Sequence, residues 1–170
     1  MERFNKKTVL SLRNLVFSAV GEKRTMPSLG RHIVADFFGC KADLNAGEWI
    51  ADVLYEAARA CSATVLERSN YHFSPYGVTC IVLISESHLA IHTWPEFNYA
   101  AVDLFTCGKH VDPRKALAVL EKKLAPTKTD IKQMPRGDYA NLPEEKRRMI
   151  VDAEKEQDLL ALNVKEVEKK

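Results

Sequence analysis

The sequence predicts an α+β two-layer sandwich in which a mainly antiparallel sheet carries two helices on one face. Three observations predict it. Strand-like runs follow one another near 63–72, 77–84, 88–94 and 99–106, with links too short for helical crossovers, so neighbouring strands must run antiparallel. Two stretches, one on each side of that block, carry apolar residues at helical spacing. The run VTCIVLI is apolar at both parities, so a sheet with helices on one face keeps a partly apolar face opposite, which a second protomer would cover.

Taken in order, residues 1–28 read as an N-terminal extension. It is basic at the start, has Leu12, Leu15, Val16 and Ala19 at helical spacing, and ends near the breaker-containing Pro27-Ser28-Leu29-Gly30. The main domain is expected over 29–142. Its first strand is RHIVADFF, Arg31 to Phe38. Asn45 with Glu48 three residues on has the pattern of a capping box. The helix behind it places Ile50, Val53, Leu54, Ala57, Ala58 and Cys61 on one stripe. Asp112 before Pro113 predicts a capping carboxylate and a first-turn proline, with Leu117, Leu120 and Leu124 as the inner side of the second helix. A last strand near 127–134 completes the sheet. From 143 to 170 the chain is a charged tail with scattered apolar positions such as Met149, Ile150 and Leu160.

The chain has 170 residues, 46% apolar and 28% charged, an ordinary balance for one domain with a real core. Its net charge of +2 gives no electrostatic reason to expect nucleic acid or an anionic membrane as partner. Cys40, Cys61, Cys80 and Cys107 form no C-x-x-C pair, and no His cluster has zinc-site spacing. Neither a metal nor a disulfide framework is expected, and the thiols fit a reduced, cytoplasmic protein. The apolar stretch Val9 to Val20 is interrupted by Arg13 and Asn14, unlike a secretory leader.

Polar chemistry concentrates in Ile84-Ser85-Glu86-Ser87-His88-Leu89-Ala90-Ile91-His92-Thr93-Trp94-Pro95-Glu96, with two serines, two histidines and two glutamates in the middle of the sheet. By itself so short a segment reads as a hydrogen-bonded strand edge, and there is no G-x-S-x-G elbow for a Ser-His-Asp hydrolase.

The run PYGVTCIVLISESHLAIHTWPEFNYAAVDLFTCG, Pro75 to Gly108, resembles the prokaryotic S-adenosylmethionine decarboxylase proenzyme family, and GRHIVADFFGC at 30–40 resembles that family's first strand. The resemblance implies self-cleavage between Glu86 and Ser87, giving pieces 1–86 and 87–170, with Ser87 becoming a pyruvoyl group that forms a Schiff base with the substrate amine. It implies no other coenzyme. His92 matches the histidine that removes a proton during processing, and Cys107 the cysteine that returns a proton to the substrate carbon. Phe73 and Glu96 match the contacts to adenine and to the ribose hydroxyls. Thr79 departs from the serine that assists processing in better-known members, keeping the hydroxyl but adding a methyl. His88 receives no role beyond packing or hydrogen bonding, and Cys40, Cys61 and Cys80 read as small buried hydrophobes.

The implied activity is conversion of S-adenosylmethionine to its decarboxylated form, the aminopropyl donor for spermidine and other polyamines. Two rivals stand beside it: a pyruvoyl-dependent arginine or ornithine decarboxylase on the same scaffold, and an unprocessed regulatory paralogue. Strand parity adds one expectation from the residues alone. On a regular strand Ser87 and His92 face opposite sides, so either they meet across an interface between protomers or the strand is broken at the cleavage point.

Overall fold

The computed structural model describes residues 28–152. The expectations for 1–27 and for 153–170 lie outside the described residues. The element order is β1 (Ser28–Phe38), α1 (Gly47–Ala60), β2 (Val65–His72), β3 (Val78–Ile84), β4 (Ser87–Trp94), β5 (Tyr99–Cys107), α2 (Pro113–Leu124) and β6 (Lys128–Asp138). Short 3-10 turns follow β4 at Pro95–Phe97 and β6 at Tyr139–Asn141. The sheet order is β2-β3-β4-β5-β1-β6, and every neighbouring pair is antiparallel. The two-layer α+β sandwich is therefore as the sequence predicts, with β1 and β6 each a few residues longer than expected. Residues 144–152 are helical and almost wholly exposed.

Alternation along the strands sorts the side chains. Ile33, Ala35 and Phe37 on β1, Val78, Cys80, Val82 and Ile84 on β3, Leu89 and Ile91 on β4, and Val102 and Leu104 on β5 are buried under the helices. The stripe predicted for α1 is buried in full, and Leu117, Leu120 and Leu124 of α2 close the layer. Each fully buried Ile or Leu stabilises the fold by roughly 1.5–3 kcal/mol relative to exposure. The opposite face carries no helix among the described elements. It displays Ile81, Leu83, Trp94, Phe38 and Met134, all exposed, among Thr79, His92, Asp103 and Lys132.

The two helix starts differ. At α2, Asp112 is the N-cap and its side chain accepts from Arg114 N at 3.1 Å, with Pro113 in the first turn. At α1 the capping box does not form, because the N-cap is Ala46 with no side-chain cap bond. Asn45 is used elsewhere: its Oδ1 accepts from Gly77 N at 3.0 Å and from His72 Nε2 at 3.1 Å, tying the β2–β3 loop to the start of α1. Glu48 accepts from Asn70 at 3.2 Å. Long-range partners for both residues outcompeted the local cap.

Candidate active site

The β3–β4 hairpin closes through the two residues Ser85 and Glu86, since Ile84 pairs with Ser87. In a two-residue hairpin the left-handed conformation usually falls inside the turn. Here it falls on Ser87, the next residue, with φ of +133°. That conformation costs an L side chain of the order of 1–3 kcal/mol and has to be held by its surroundings.

Several bonds hold it. Ser85 N donates to Thr64 O at 2.9 Å, and Cys107 N donates to the carbonyl oxygen of Glu86 at 2.9 Å. Glu86 itself is 5% exposed. Its carboxylate accepts from Thr64 N at 3.1 and 3.3 Å and from His110 Nε2 at 2.9 Å. Burial pushes this carboxyl up, but the bonds from His110 and Thr64 outweigh it and hold the group below its ordinary value. Ser87 Oγ lies 3.2 Å from His88 Nδ1. On β5, Thr106 pairs with Ser87 and has a fully buried hydroxyl with no hydrogen-bond partner.

The predicted site residues fall into two groups. Glu86, Ser87 and Cys107 meet at the end of the sheet where the β3–β4 turn approaches the end of β5. Thr79 and His92 pair across β3 and β4 further down the sheet, with Thr79 Oγ1 at 2.8 Å from His92 Nδ1. Glu96 lies on the 3-10 turn that follows β4 at that end. Phe73 is there too: it directly follows β2, is 47% exposed, and stacks edge-on against Tyr71, which pairs with Thr79. His92 lies five residue steps beyond Ser87, roughly 16 Å of strand, so one protomer does not bring the two together. By pairing, Ser87 has the parity of the helix-covered face and His92 that of the helix-free face, and the backbone at Ser87 departs from strand geometry.

Cys107 is a free, exposed thiol, whereas Cys40, Cys61 and Cys80 are buried. Burial raises all three buried thiols, that of Cys80 to about 11. Among the described residues no group of His, Cys, Asp and Glu is arranged to hold a metal, and no helix is long and apolar enough to cross a membrane. Sequence reasoning passed over His110 and Thr64, because their contacts to Glu86 span 24 and 22 residues and no local spacing marks them.

Residues 31–137 match the family model described as S-adenosylmethionine decarboxylase. The S-adenosylmethionine decarboxylase proenzyme of Fervidobacterium nodosum is 47% identical over 132 residues, 76% of this chain and 96% of that protein. The proenzyme of Methanococcus maripaludis is 44% identical over 113 residues, 66% of this chain and 93% of that protein. The crystal structure of the adenosylmethionine decarboxylase from Aquifex aeolicus superposes with a TM-score of 0.62 at 36% identity, covering 69% of this chain and 95% of that one. This chain belongs to the S-adenosylmethionine decarboxylase family.

Proposed function

We propose that the chain is a proenzyme that cleaves itself between Glu86 and Ser87 and then, as a carboxy-lyase, decarboxylates S-adenosylmethionine, the substrate named for its relatives. The observation that carries the reading is the scissile peptide itself: a serine at φ +133° whose preceding carbonyl is already held by the Cys107 N–H. Attack of Ser87 Oγ on the Glu86 carbonyl carbon forms a C–O bond and breaks the C–N bond. The hydroxyl proton leaves, and the freed amine gains one. Negative charge builds on the carbonyl oxygen during the attack, where the Cys107 N–H stabilises it. Release of the strained backbone at Ser87 favours the same direction.

In the ester that results, loss of the Ser87 Cα proton expels Glu86 as a carboxylate and leaves dehydroalanine. Water then converts this to a ketone with release of ammonia. His92 is the base in our reading. When Thr79 Oγ1 accepts from Nδ1–H, the lone pair sits on Nε2, the form a base requires. His88 Nδ1 at 3.2 Å and the partnerless hydroxyl of the paired Thr106 fit a pyruvoyl group made from Ser87, and such a group would supply a carbonyl that condenses with an α-amine and accepts the electrons left by carbon dioxide. In this reading Cys107, whose thiol is free and exposed, returns a proton to the substrate carbon. Phe73 offers a flat face to adenine and Glu96 an acceptor to the ribose hydroxyls.

Ser87 and Cys107 at one end, and Thr79, His92, Phe73 and Glu96 at the other, support a site completed by a second protomer. Two copies facing each other across their helix-free faces and running in opposite directions bring one end of each onto the other end of its partner. On this reading the irregular backbone at Ser87 lets its hydroxyl reach that face, where it lies 3.2 Å from His88 Nδ1. Apolar Ile81, Leu83 and Trp94 on that face favour the pairing. The buried free thiols suit a reducing compartment, and we place the enzyme in the cytoplasm.

The test is intact mass followed by assay. Wild type should resolve into 1–86 and an 87–170 piece blocked at its amino end, and should release carbon dioxide from S-adenosylmethionine. One persistent full-length species without activity defeats the reading. Release from arginine or ornithine alone keeps the cleavage and replaces the substrate.

A further inference from the structure

We infer that His110 is a positioning residue for self-cleavage, acting through the Glu86 side chain to hold the scissile carbonyl in place. The inference rests on the reading that Ser87 cleaves the chain.

Glu86 is fixed at three points. Its carbonyl oxygen accepts from Cys107 N at 2.9 Å, and its carboxylate is shared between Thr64 on one side and His110 Nε2, at 2.9 Å, on the other. The carboxylate side chain is 7% exposed, whereas that of His110 is 63% exposed. The imidazole thus closes the solvent side of a buried anion. Removing it leaves Oε1 with only its share of the Thr64 N–H, at 3.3 Å, and frees the side chain to rotate, and the Glu86 backbone with it.

The loop bearing His110 is built to present it. Arg31 of β1 donates from Nη2 to Gly108 O at 3.0 Å and to Val111 O at 2.6 Å, bridging both ends of the loop. Asp112 N donates to Cys61 O at 3.1 Å, anchoring the loop to the end of α1. Gly108 has φ of +78°, and a Cβ there would approach the His110 ring to 3.2 Å, so a side chain at 108 would crowd the imidazole. The same loop leaves β5 directly after Cys107. One short segment therefore supplies both the N–H on the Glu86 carbonyl and the imidazole on the Glu86 carboxylate.

His110 does not touch the reacting atoms, so its loss should slow cleavage without abolishing it. The full-length chain is made by cell-free synthesis, and conversion to 1–86 and 87–170 is followed by intact mass for wild type, His110→Ala, His110→Gln and Ser87→Ala. His110→Ala should convert roughly five- to tenfold more slowly, the scale of one ordinary hydrogen bond, since the imidazole is itself largely exposed. His110→Gln, which offers an N–H from its amide, should recover most of the rate. In the Ser87→Ala background His110→Ala should melt slightly lower than the parent, by the loss of one hydrogen bond, and stay fully folded at the assay temperature. Conversion of His110→Ala at the wild-type rate overturns the inference while leaving Ser87 cleavage intact. So does failure of His110→Gln to recover the rate, or slowing that simply follows lost stability. A wild-type chain that never converts defeats the reading of Ser87, and this inference with it.

Discussion

Thr79 Oγ1 sits 2.8 Å from His92 Nδ1, and the two residues are direct cross-strand partners on the helix-free face of the sheet. The hydroxyl fixes the ring orientation of the histidine, and where it accepts from Nδ1–H it leaves the lone pair on Nε2. Threonine serves this purpose as well as serine, because its β-branched side chain has few rotamers to lose on a strand.

Thr79→Ser should therefore cleave at close to the wild-type rate. Thr79→Val, nearly isosteric but without the hydroxyl, should slow it roughly three- to tenfold, the worth of one hydrogen bond. Time courses of fragment appearance measure both. Equal rates for valine and threonine would remove Thr79 from the processing machinery.

Acid should loosen the β3–β4 turn, which carries the proposed scissile bond. The Glu86 carboxyl has a depressed value in the fold, against an ordinary 4.5, with burial opposing the shift and the bonds from His110 and Thr64 producing it. A group depressed on folding stabilises the folded state fully above its unfolded value, and the contribution is lost as pH falls through the folded one. Urea midpoints of Ser87→Ala should thus decline below about pH 4.5, and more steeply than those of Ser87→Ala/Glu86→Gln. Parallel curves for the two proteins would contradict this.

Much of the fold was legible because its signals are local. The α1 stripe is a 3.6-residue repeat, the short links between strands force antiparallel pairing, and Asp112-Pro113 carries its own cap. The Asn45-Glu48 pattern was equally local and misled, since Asn45 found His72 at the end of β2 and Gly77 on the loop after it, both distant in sequence. For the site, the residue types were legible in SESH and its surroundings, but their division between two ends of the sheet was not. That division depends on strand register, and His110 on a loop contact, neither of which a local pattern encodes.

Thr93 tests the packing beneath the site. Its buried hydroxyl accepts from Val78 N at 2.8 Å and donates to Leu44 O at 2.9 Å, pinning the start of β3 to the segment before α1. Thr93→Val keeps the shape and strands both main-chain groups, which should cost about 1–3 kcal/mol. Urea unfolding in the Ser87→Ala background reads this directly, and an unchanged midpoint would mean that both groups find other partners.

The separation of Ser87 from His92 along β4 makes the proposed two-protomer site open to a complementation test. His92→Ala alone should remain largely uncleaved, and Ser87→Ala alone cannot cleave. In a mixed dimer, the Ser87 of the His92→Ala chain meets the intact His92 of the Ser87→Ala chain, so one of the two sites is whole. Random pairing of equal amounts makes half the dimers mixed and leaves roughly a quarter of all sites intact. Co-expression with distinguishable tags should therefore yield cleaved fragments from the His92→Ala chain only, together with decarboxylase activity near that fraction of wild type. If the His92→Ala chain stays whole in the mixed dimer, each protomer must process its own Ser87, and the strand would have to rearrange around the turn to bring His92 within reach.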